Sequence, residues 1–329
     1  MLRSSVSISD AEISEELRKQ PAFASSTIKY IRSFPSRHSQ VSEYKVQSDG
    51  TQQAIVVKHW PLREDRDRTS LEFGNLRKAR SMLREELRRG VPEPLFVLPA
   101  LGILVTRKIP GTPLAQSFKK YGNRFCGPFR SAAVAEKARQ AGVWLKSFQE
   151  ATQAEPIVFN RSCFLAEVEK RLSFLEYKGF EPQLAREILD RVALQSTRFQ
   201  GRLTPTAARH GDLIPQNILI QDDRVGIVDF EAFAERKSVY YDPSMFLGYL
   251  LLLRTRAPYH PGSLDRARLA FLAGFCGKGV IDQDLFSIYS IQGAIRLITD
   301  GPQLNRGWGR MGVIDVVTKR LKDMAAGSL

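Results

Sequence analysis

The stretch that spans residues 208–231, ARHGDLIPQNILIQDDRVGIVDFE, restricts the fold of this chain more than any other. Two short apolar runs, NILI and VGIVDF, flank the polar turn QDDR, and this pattern predicts a β-hairpin. Asn217 stands where the first strand begins, Asp229 where the second ends, and Asp212 in the loop just before. The hairpin is therefore expected to bring one amide and two carboxylates together at one end.

These three side chains have the chemistry that phosphoryl transfer requires. Mg²⁺ prefers hard oxygen ligands, usually one or two carboxylates with phosphate oxygens and water, so Asn217 and Asp229 are candidate metal ligands. Asp212 is a candidate base, which would accept the proton of an attacking hydroxyl and orient it. A simpler interpretation is that Asp and Asn cap backbone groups at turns. It explains Asp222 and Asp223 well, but it explains the combination of Asp212, Asn217 and Asp229 poorly.

The spacing H-x-D-x-x-x-x-N, followed by D-F-E, resembles the catalytic and metal-binding segments of the aminoglycoside phosphotransferase and choline kinase-like family, whose members have the protein-kinase-like fold. Protein kinases have the same Asp-to-Asn interval, with Arg where Gly211 stands and D-F-G where this chain has D-F-E. The resemblance implies that Asp212 is the catalytic base, that Asn217 and Asp229 bind Mg²⁺, and that His210 braces the loop.

The order of predicted elements agrees with such a fold. Three β-segments (TIKYIRSF, VSEYKVQS and QAIVVKHW) precede one helix (LEFGNLRKARSMLREELRRG) and two more β-segments (PLFVLP and GILVTRKI). After the break PGTPL the chain becomes mainly helical. We expect an α+β, bilobal protein-kinase-like fold, with a β-rich N-lobe and a mainly helical C-lobe. The expected boundaries are a polar lead-in over 1–25, an N-lobe over 26–109, a connector over 110–114, and a C-lobe over 115–329.

The resemblance extends into the expected N-lobe through Lys58. It lies where the family's third-strand lysine holds the nucleotide phosphates, although an isolated strand lysine would ordinarily be a solvated one. Glu72, in the following helix, is the best candidate partner for Lys58. Glu85 and Glu86, near the end of that helix, are expected to be solvated.

The chain departs from the kinase pattern at the phosphate loop and in one helix. Protein kinases cover the phosphates with a glycine-rich loop, whereas the equivalent segment here, SFPSRHSQV at 33–41, contains no glycine. Ser36, Ser39 and backbone amides are the candidate phosphate contacts. Gln149 stands where the family's long helix often has His. The G-x-G-x-x-G match at 307–312 is not expected to bind a dinucleotide, since no strand precedes it.

Charge and local sequence bear on the acceptor. The net charge of +14 favours an anionic partner, although a solvated basic surface gives the same composition. Arg236, Lys237, Arg254 and Arg256 follow the metal segment, where family members form acceptor surfaces, and either favour an anionic acceptor or are plain surface cations. A sugar or another small alcohol is therefore favoured over an aminoglycoside drug. Asp242 and Pro243 are predicted to be the N-cap and first residue of the helix that contains MFLGYLLLL.

No feature of the sequence predicts secretion or membrane insertion. The three cysteines are far apart, which indicates neither a zinc site nor a disulfide framework. The N-terminal segment lacks the apolar core of a signal peptide, and MFLGYLLLL is shorter than the about 20 apolar residues that span a bilayer. We expect a cytoplasmic protein with no nucleic-acid partner and no transmembrane segment; the oligomeric state stays open.

The sequence thus predicts a small-molecule kinase. It would transfer the γ-phosphate of ATP, or of GTP, to a hydroxyl of a sugar or another small alcohol, with Mg²⁺ as cofactor. The alternative is a non-catalytic protein that binds a nucleotide or polyanion on a kinase-like scaffold. A protein kinase is disfavoured by the H-G-D and D-F-E forms and by the lack of an A-P-E segment after Asp229.

Overall fold

A computed structural model describes residues 8–34, 39–48, 50–177, 179–254, 258–277 and 282–300. The chain divides into two compact units, Met1–Pro110 with Gly226–Ala232 and Gly111–Val225 with Phe233–Leu329. Three features of the sequence fall outside the described residues: Ser36 of the candidate phosphate loop, Arg256, and the glycine motif at 307–312.

The first unit is built on a five-stranded antiparallel sheet. Its strands are β1 (Thr27–Phe34), β2 (Gln40–Ser48), β3 (Thr51–His59), β4 (Pro94–Leu98) and β5 (Ile103–Arg107). Their order across the sheet is β1-β2-β3-β5-β4. These strands confirm the five predicted β-segments. Along β3 the fully buried Ile55 and Val57 alternate with Val56 and Lys58, so the apolar side chains share one face and Lys58 lies on the other.

The apolar face of this sheet is covered by the N-terminal helix α1 (Asp10–Arg18). The helix begins with a capping box, in which the hydroxyl of Ser9 accepts from the backbone of Glu12 and the Glu12 carboxylate accepts from the backbone of Ser9. Ile13 and Leu17 of α1 are fully buried in the core of the unit. With the buried Phe23, the polar lead-in of the sequence therefore contributes three core residues.

The prediction of a single helix after β3 is wrong. The chain forms two helices there, α2 (Asp67–Ser81) and α3 (Glu85–Arg88). Backbone carbonyls freed at the interruption are satisfied by an arginine side chain. Arg88 donates to the carbonyl of Leu83 at 2.8 Å and to that of Arg80, in the last turn of α2, at 3.1 Å. These bonds offset the cost of ending a helix. Glu85 and Glu86 are exposed, as predicted.

The second unit is mainly helical. Its helices are α4 (Leu114–Tyr121), α5 (Gly127–Ala151), α6 (Arg161–Tyr177), α7 (Pro182–Ser196), α8 (Tyr241–Arg254), α9 (Pro261–Cys276) and α10 (Gln283–Asp300). Its short strands are β6 (Thr112–Pro113), β7 (Ala154–Val158), β8 (Leu203–Arg209), β9 (Ile218–Gln221), β10 (Arg224–Ile227) and β11 (Ala234–Ser238), and the end of β10 passes into the first unit. The strands form two three-stranded sheets, β10-β9-β6 and β11-β8-β7. The β9–β10 pair confirms the hairpin predicted around QDDR.

Helices α5 and α9 cross with their backbones in close approach. A Cβ atom on Gly142 of α5 would lie 2.2 Å from the carbonyl oxygen of Phe271, and one on Gly274 of α9 would lie 2.2 Å from that of Arg139. Only glycine fits at both positions. The run MFLGYLLLL lies in α8 and is largely buried, which confirms the predicted core helix. Among the residues described, no helix has both the length and the apolar character needed to span a bilayer.

Candidate active site

In the first unit Lys58 lies between two carboxylates. Its Nζ atom donates to Glu72 Oε2 at 2.7 Å and to Asp229 Oδ1 at 2.8 Å. It also lies 4.6 Å from the ring centroid of the buried Trp60, within cation–π range. Three of the predicted site residues are therefore in direct contact, although they come from β3, α2 and the segment after β10.

The electrostatics of this trio keep the lysine charged. Burial alone would lower the pKa of Lys58, but the negative charges of Glu72 and Asp229 outweigh it and raise that pKa above its usual value. Burial also raises the pKa of Glu72, which is only 4% exposed, while the Lys58 charge opposes this shift. The pKa of Glu72 is about 7 as a result, so the Lys58 charge limits the effect of burial without cancelling it.

The D-F-E segment is held to α2 by a residue that the sequence did not indicate. Asn75 Nδ2 donates to the carbonyl oxygens of Phe230 and Glu231, each at 3.0 Å. Asp229 itself has a φ of +71°, a left-handed conformation that few residues other than glycine adopt. Asn75 follows Glu72 by three positions, so both lie on one helix face. This three-residue spacing from Glu72 is the sequence feature from which a role for Asn75 could have been predicted.

In the second unit the loop after β8 orients Asp212. Asn217 Nδ2 donates to the backbone oxygen of Asp212 and to its carboxylate oxygen Oδ2, both at 2.9 Å. The backbone N–H of Asp212 points to Nδ1 of the fully buried His210 at 3.3 Å, so this ring nitrogen is the acceptor. Asn217 and His210 thus fix both the side chain and the backbone of Asp212.

The predicted N-cap role of Asp242 is wrong. Helix α8 already begins at Tyr241, and the fully buried carboxylate of Asp242 instead accepts the backbone N–H groups of His210 at 2.7 Å and of Gly211 at 2.8 Å. Gly211 has a φ of +87°, which glycine adopts without steric cost and arginine would not. Two hydrogen bonds to one buried charge contribute on the order of 3 kcal/mol or more, so Asp242 anchors the loop.

The other residues that the sequence singled out have ordinary contacts. Gln149 Nε2 donates to the carbonyl of Val239 at 2.9 Å, which ties α5 to the segment before α8. Arg236 and Lys237 are exposed on β11. Arg254 already has an acidic neighbour, Asp265, at 3.5 Å.

The sequence profile of the phosphotransferase enzyme family, APH, matches residues 37–282, a span that includes Lys58, Glu72, Asp212, Asn217 and Asp229. The chain belongs to this family. It is therefore a phosphotransferase that uses a hydroxyl acceptor. No curated protein matches its sequence.

Solved structures share the fold of this phosphotransferase at low sequence identity. A glucosamine kinase in complex with glucosamine, ADP and inorganic phosphate has a TM-score of 0.63 and 16% identity, over 97% of this chain and 89% of that one. A choline/ethanolamine kinase family protein from Mesorhizobium loti has a TM-score of 0.59 and 16% identity, over 95% and 97%. An ADP-bound aminoglycoside phosphotransferase has a TM-score of 0.54 and 14% identity, over 96% and 99%. The α+β, bilobal kinase-like fold predicted from the sequence is confirmed.

The candidate metal ligands of the phosphotransferase have suitable donor atoms. The Nδ2 atom of Asn217 is directed at Asp212, which leaves its Oδ1 atom as a hard ligand. Asp229 brings a carboxylate of which one oxygen faces Lys58. Oxygen atoms of Glu72, Asp229 and Glu231 also lie within 4.8 Å of one another. An amide oxygen and a carboxylate are the ligand types that Mg²⁺ accepts, so each of these residues by itself has a donor atom that suits this ion.

Proposed function

We propose that this phosphotransferase transfers the γ-phosphate of ATP, or of GTP, to a hydroxyl of a sugar or another small alcohol, with Mg²⁺ as cofactor. The observation that carries the proposal is the double restraint on Asp212. Its carboxylate accepts from Asn217, and its loop is anchored through two backbone N–H groups to the buried Asp242. Such restraint is typical of a group that must meet a reacting hydroxyl in one geometry.

In this proposal Asp212 acts as the base. The acceptor hydroxyl gives its proton to the Asp212 carboxylate while its oxygen forms the new bond to the γ-phosphorus, and the bond from that phosphorus to the β-phosphate oxygen breaks. The nucleoside diphosphate leaves with the electron pair of that bond. Little covalent chemistry is required of the protein, so positioning and charge neutralisation account for most of the rate.

The charged trio of the first unit would bind the donor. Lys58 would hold the nucleotide phosphates, and its contact with Glu72 at 2.7 Å supports this role because the carboxylate fixes the ammonium group in place. Asn217 and Asp229 would hold the metal ion. When bound, Mg²⁺ neutralises the charge that develops on the phosphates.

The comparisons support a sugar as the acceptor. The glucosamine kinase that shares this fold is described with glucosamine, ADP and inorganic phosphate. A sugar hydroxyl meets the requirement of the Asp212 step, since any alcohol in that position has a proton to give.

The test is Asp212→Asn, assayed with labelled ATP and GTP against sugars, amino sugars, aminoglycosides, choline-like amines and acidic saccharides. Turnover should fall by about 10²–10⁴-fold, the usual contribution of a general base, while nucleotide affinity is retained. Asp222→Asn is the matched control, because Asp222 is an exposed aspartate in the turn between β9 and β10. Near-normal turnover in Asp212→Asn would show that Asp212 is not the base.

The second candidate function is nucleotide or polyanion binding without transfer. It is favoured by one observation, the absence of glycine from 33–41. For this function we expect saturable nucleotide binding and no transfer of label to any acceptor. Asp212→Asn should change neither result.

A further inference from the structure

Arg209 immediately precedes the loop that carries Asp212, and its guanidinium is unusually poor in partners. Its Cζ atom lies 4.5 Å from the ring centroid of Tyr241. Within the part of the chain that the structure describes, its buried Nε atom has no hydrogen-bond acceptor, and no carboxylate pairs with it. A shielded donor without an acceptor costs about 1–3 kcal/mol, so the position calls for an explanation.

Arg296 contacts the same tyrosine from another helix, and the charge of Arg171 lowers the pKa of its hydroxyl. Arg296 of α10 donates from Nη1 to the hydroxyl of Tyr241 at 2.6 Å, and its Cζ atom lies 5.8 Å from that ring centroid. Arg171 of α6 also has a buried Nε atom with no acceptor among the described residues, while its Nη2 atom lies 3.5 Å from Glu167. We call Arg171, Arg209 and Arg296 the arginine cluster.

Tyr241 does not neutralise the arginine cluster. The ring is only 1% exposed, and burial raises the pKa of its hydroxyl, although the three arginines act against that shift. The phenol therefore stays uncharged at neutral pH. The repulsion among the guanidinium groups is offset in part by Glu167, which lies 3.5 Å from Arg171, and an anion bound between the groups would relieve it further.

The cluster is close to the proposed base along the chain. Arg209 stands three residues before Asp212, so their Cα atoms are separated by at most about 11 Å. This short separation along the chain is compatible with one small acceptor that has an anionic group on Arg209 and a hydroxyl at Asp212. Guanidinium groups suit this task because they bind carboxylate and phosphate oxygens in pairs.

The geometry points to the arginine cluster as the binding site for an anionic group of the acceptor, a phosphate or a carboxylate, so that this kinase acts on acidic or phosphorylated sugars. The inference rests on the proposed function and names the acceptor class within it. It assigns anion recognition to residues that differ from Arg236, Lys237, Arg254 and Arg256, the set that the sequence indicated. All three members lie in the second unit, on β8, α6 and α10.

The alternative explanation is that the arginines merely close the apolar core around Tyr241. Arg209→Lys distinguishes this explanation from anion binding, since lysine keeps the positive charge but lacks the planar, paired hydrogen-bond donors of arginine. The matched control is Arg198→Gln, because Arg198 also stacks on an aromatic ring of the second unit, Phe199 at 4.9 Å, but is exposed and pairs with Asp284 at 3.2 Å.

The first measurement compares kcat/KM for pairs of acceptors that differ only in the anionic group, such as a neutral sugar with its uronic acid and its phosphate ester. Arg209→Gln and Arg209→Lys should lower kcat/KM for the anionic members by about 10–100-fold, the cost of losing hydrogen bonds to a charged group, and leave the neutral members and the KM for nucleotide unchanged. Arg198→Gln should change neither. Equal losses for neutral and anionic acceptors would overturn the inference.

The second measurement needs no turnover. Inorganic phosphate is titrated into the full chain without nucleotide, by calorimetry, and thermal unfolding verifies that each variant is folded. Phosphate binding that is lost in folded Arg209→Gln and kept in Arg198→Gln supports the site even if no acceptor is ever phosphorylated, in which case only the proposed function fails. Binding that is indifferent to Arg209 overturns the inference, while loss of turnover in Asp212→Asn would still support the proposed function.

Discussion

The first unit positions its charged residues through other charges, whereas the second positions them through its own backbone. Lys58 and Asp229 are 171 residues apart in the sequence and are joined by a side-chain ion pair. The loop around Asp212 is instead held by hydrogen bonds between side chains and backbone N–H groups, above all at Asp242. Substitutions in the first unit should therefore change the pKa values of the neighbouring charged groups and the pH dependence of stability. Substitutions in the second unit should change the geometry of the Asp212 loop and the free energy of unfolding.

Among the substitutions that test this contrast between the units, the largest effect is expected from Lys58→Met. Turnover should fall by about 10²–10³-fold, as is usual when a preorganised charge is removed. The variant also leaves Glu72 buried without its cation. Burial raises the pKa of Glu72 to about 7 even with Lys58 present, and loss of the cation raises it further. The folded state of the variant therefore binds a proton that the unfolded state releases, and the free energy of unfolding should decrease with rising pH from about 5 to a higher pH than in the wild type.

Urea denaturation at several pH values measures this slope, with Lys45→Met as control because Lys45 lies on the same sheet in β2. The same pH slope in both variants would mean that the Lys58–Glu72 pair does not control the protonation of Glu72.

Asp242→Asn should have the next largest effect. The amide keeps one acceptor oxygen but turns an NH₂ group toward a backbone donor, so the free energy of unfolding should fall by about 2–4 kcal/mol. Turnover should fall as the loop loosens, while nucleotide affinity stays near its normal value.

Ser244→Ala is the control for Asp242, since Ser244 is a buried polar residue of the same helix whose hydroxyl donates to the nearby carbonyl of Tyr240. Thermal or urea unfolding and steady-state kinetics give both readouts. A wild-type unfolding free energy in Asp242→Asn would contradict the anchoring role.

The smallest effect is expected from a pair of glycine substitutions. Gly211 and Gly201 have φ values of +87° and +82°, so alanine at either position should cost about 1–2 kcal/mol of stability. Gly201 has no neighbouring atom within 4 Å of an added Cβ, which makes it a clean reference. Only Gly211→Ala should also reduce turnover, since its N–H bonds Asp242. Full turnover in Gly211→Ala would show that the loop tolerates distortion.

The sequence predicted the parts of the site whose signals are local. The hairpin and its acidic ends could be read from the alternation of apolar runs and turn residues. Lys58 was indicated by the resemblance to the kinase family, and Glu72 as its best candidate partner in the next helix. The role of Asp242 was missed because an Asp-Pro pair looks the same whether it caps a helix or binds a distant backbone. Its partners, His210 and Gly211, are more than 30 residues earlier.

The other features that the sequence did not predict also depend on contacts between side chains and distant parts of the chain. The helical pattern over 71–90 is continuous, and only the arginine side chain that satisfies carbonyls around the interruption reveals why the chain can bend there. The arginine cluster is equally hidden in the sequence, because Arg171, Arg209 and Arg296 belong to three separate elements and none follows a recognisable motif.

The discontinuity of the first unit has a consequence for synthesis on the ribosome. Its first 110 residues are made early, but Gly226–Ala232, which contains Asp229, is made only after half of the second unit has been translated. Until then a nascent Lys58 has one of its two counter-charges rather than both. A truncated gene that ends at Pro110 would for the same reason encode an incomplete unit, and fragment complementation would have to supply the missing seven-residue segment from a second chain.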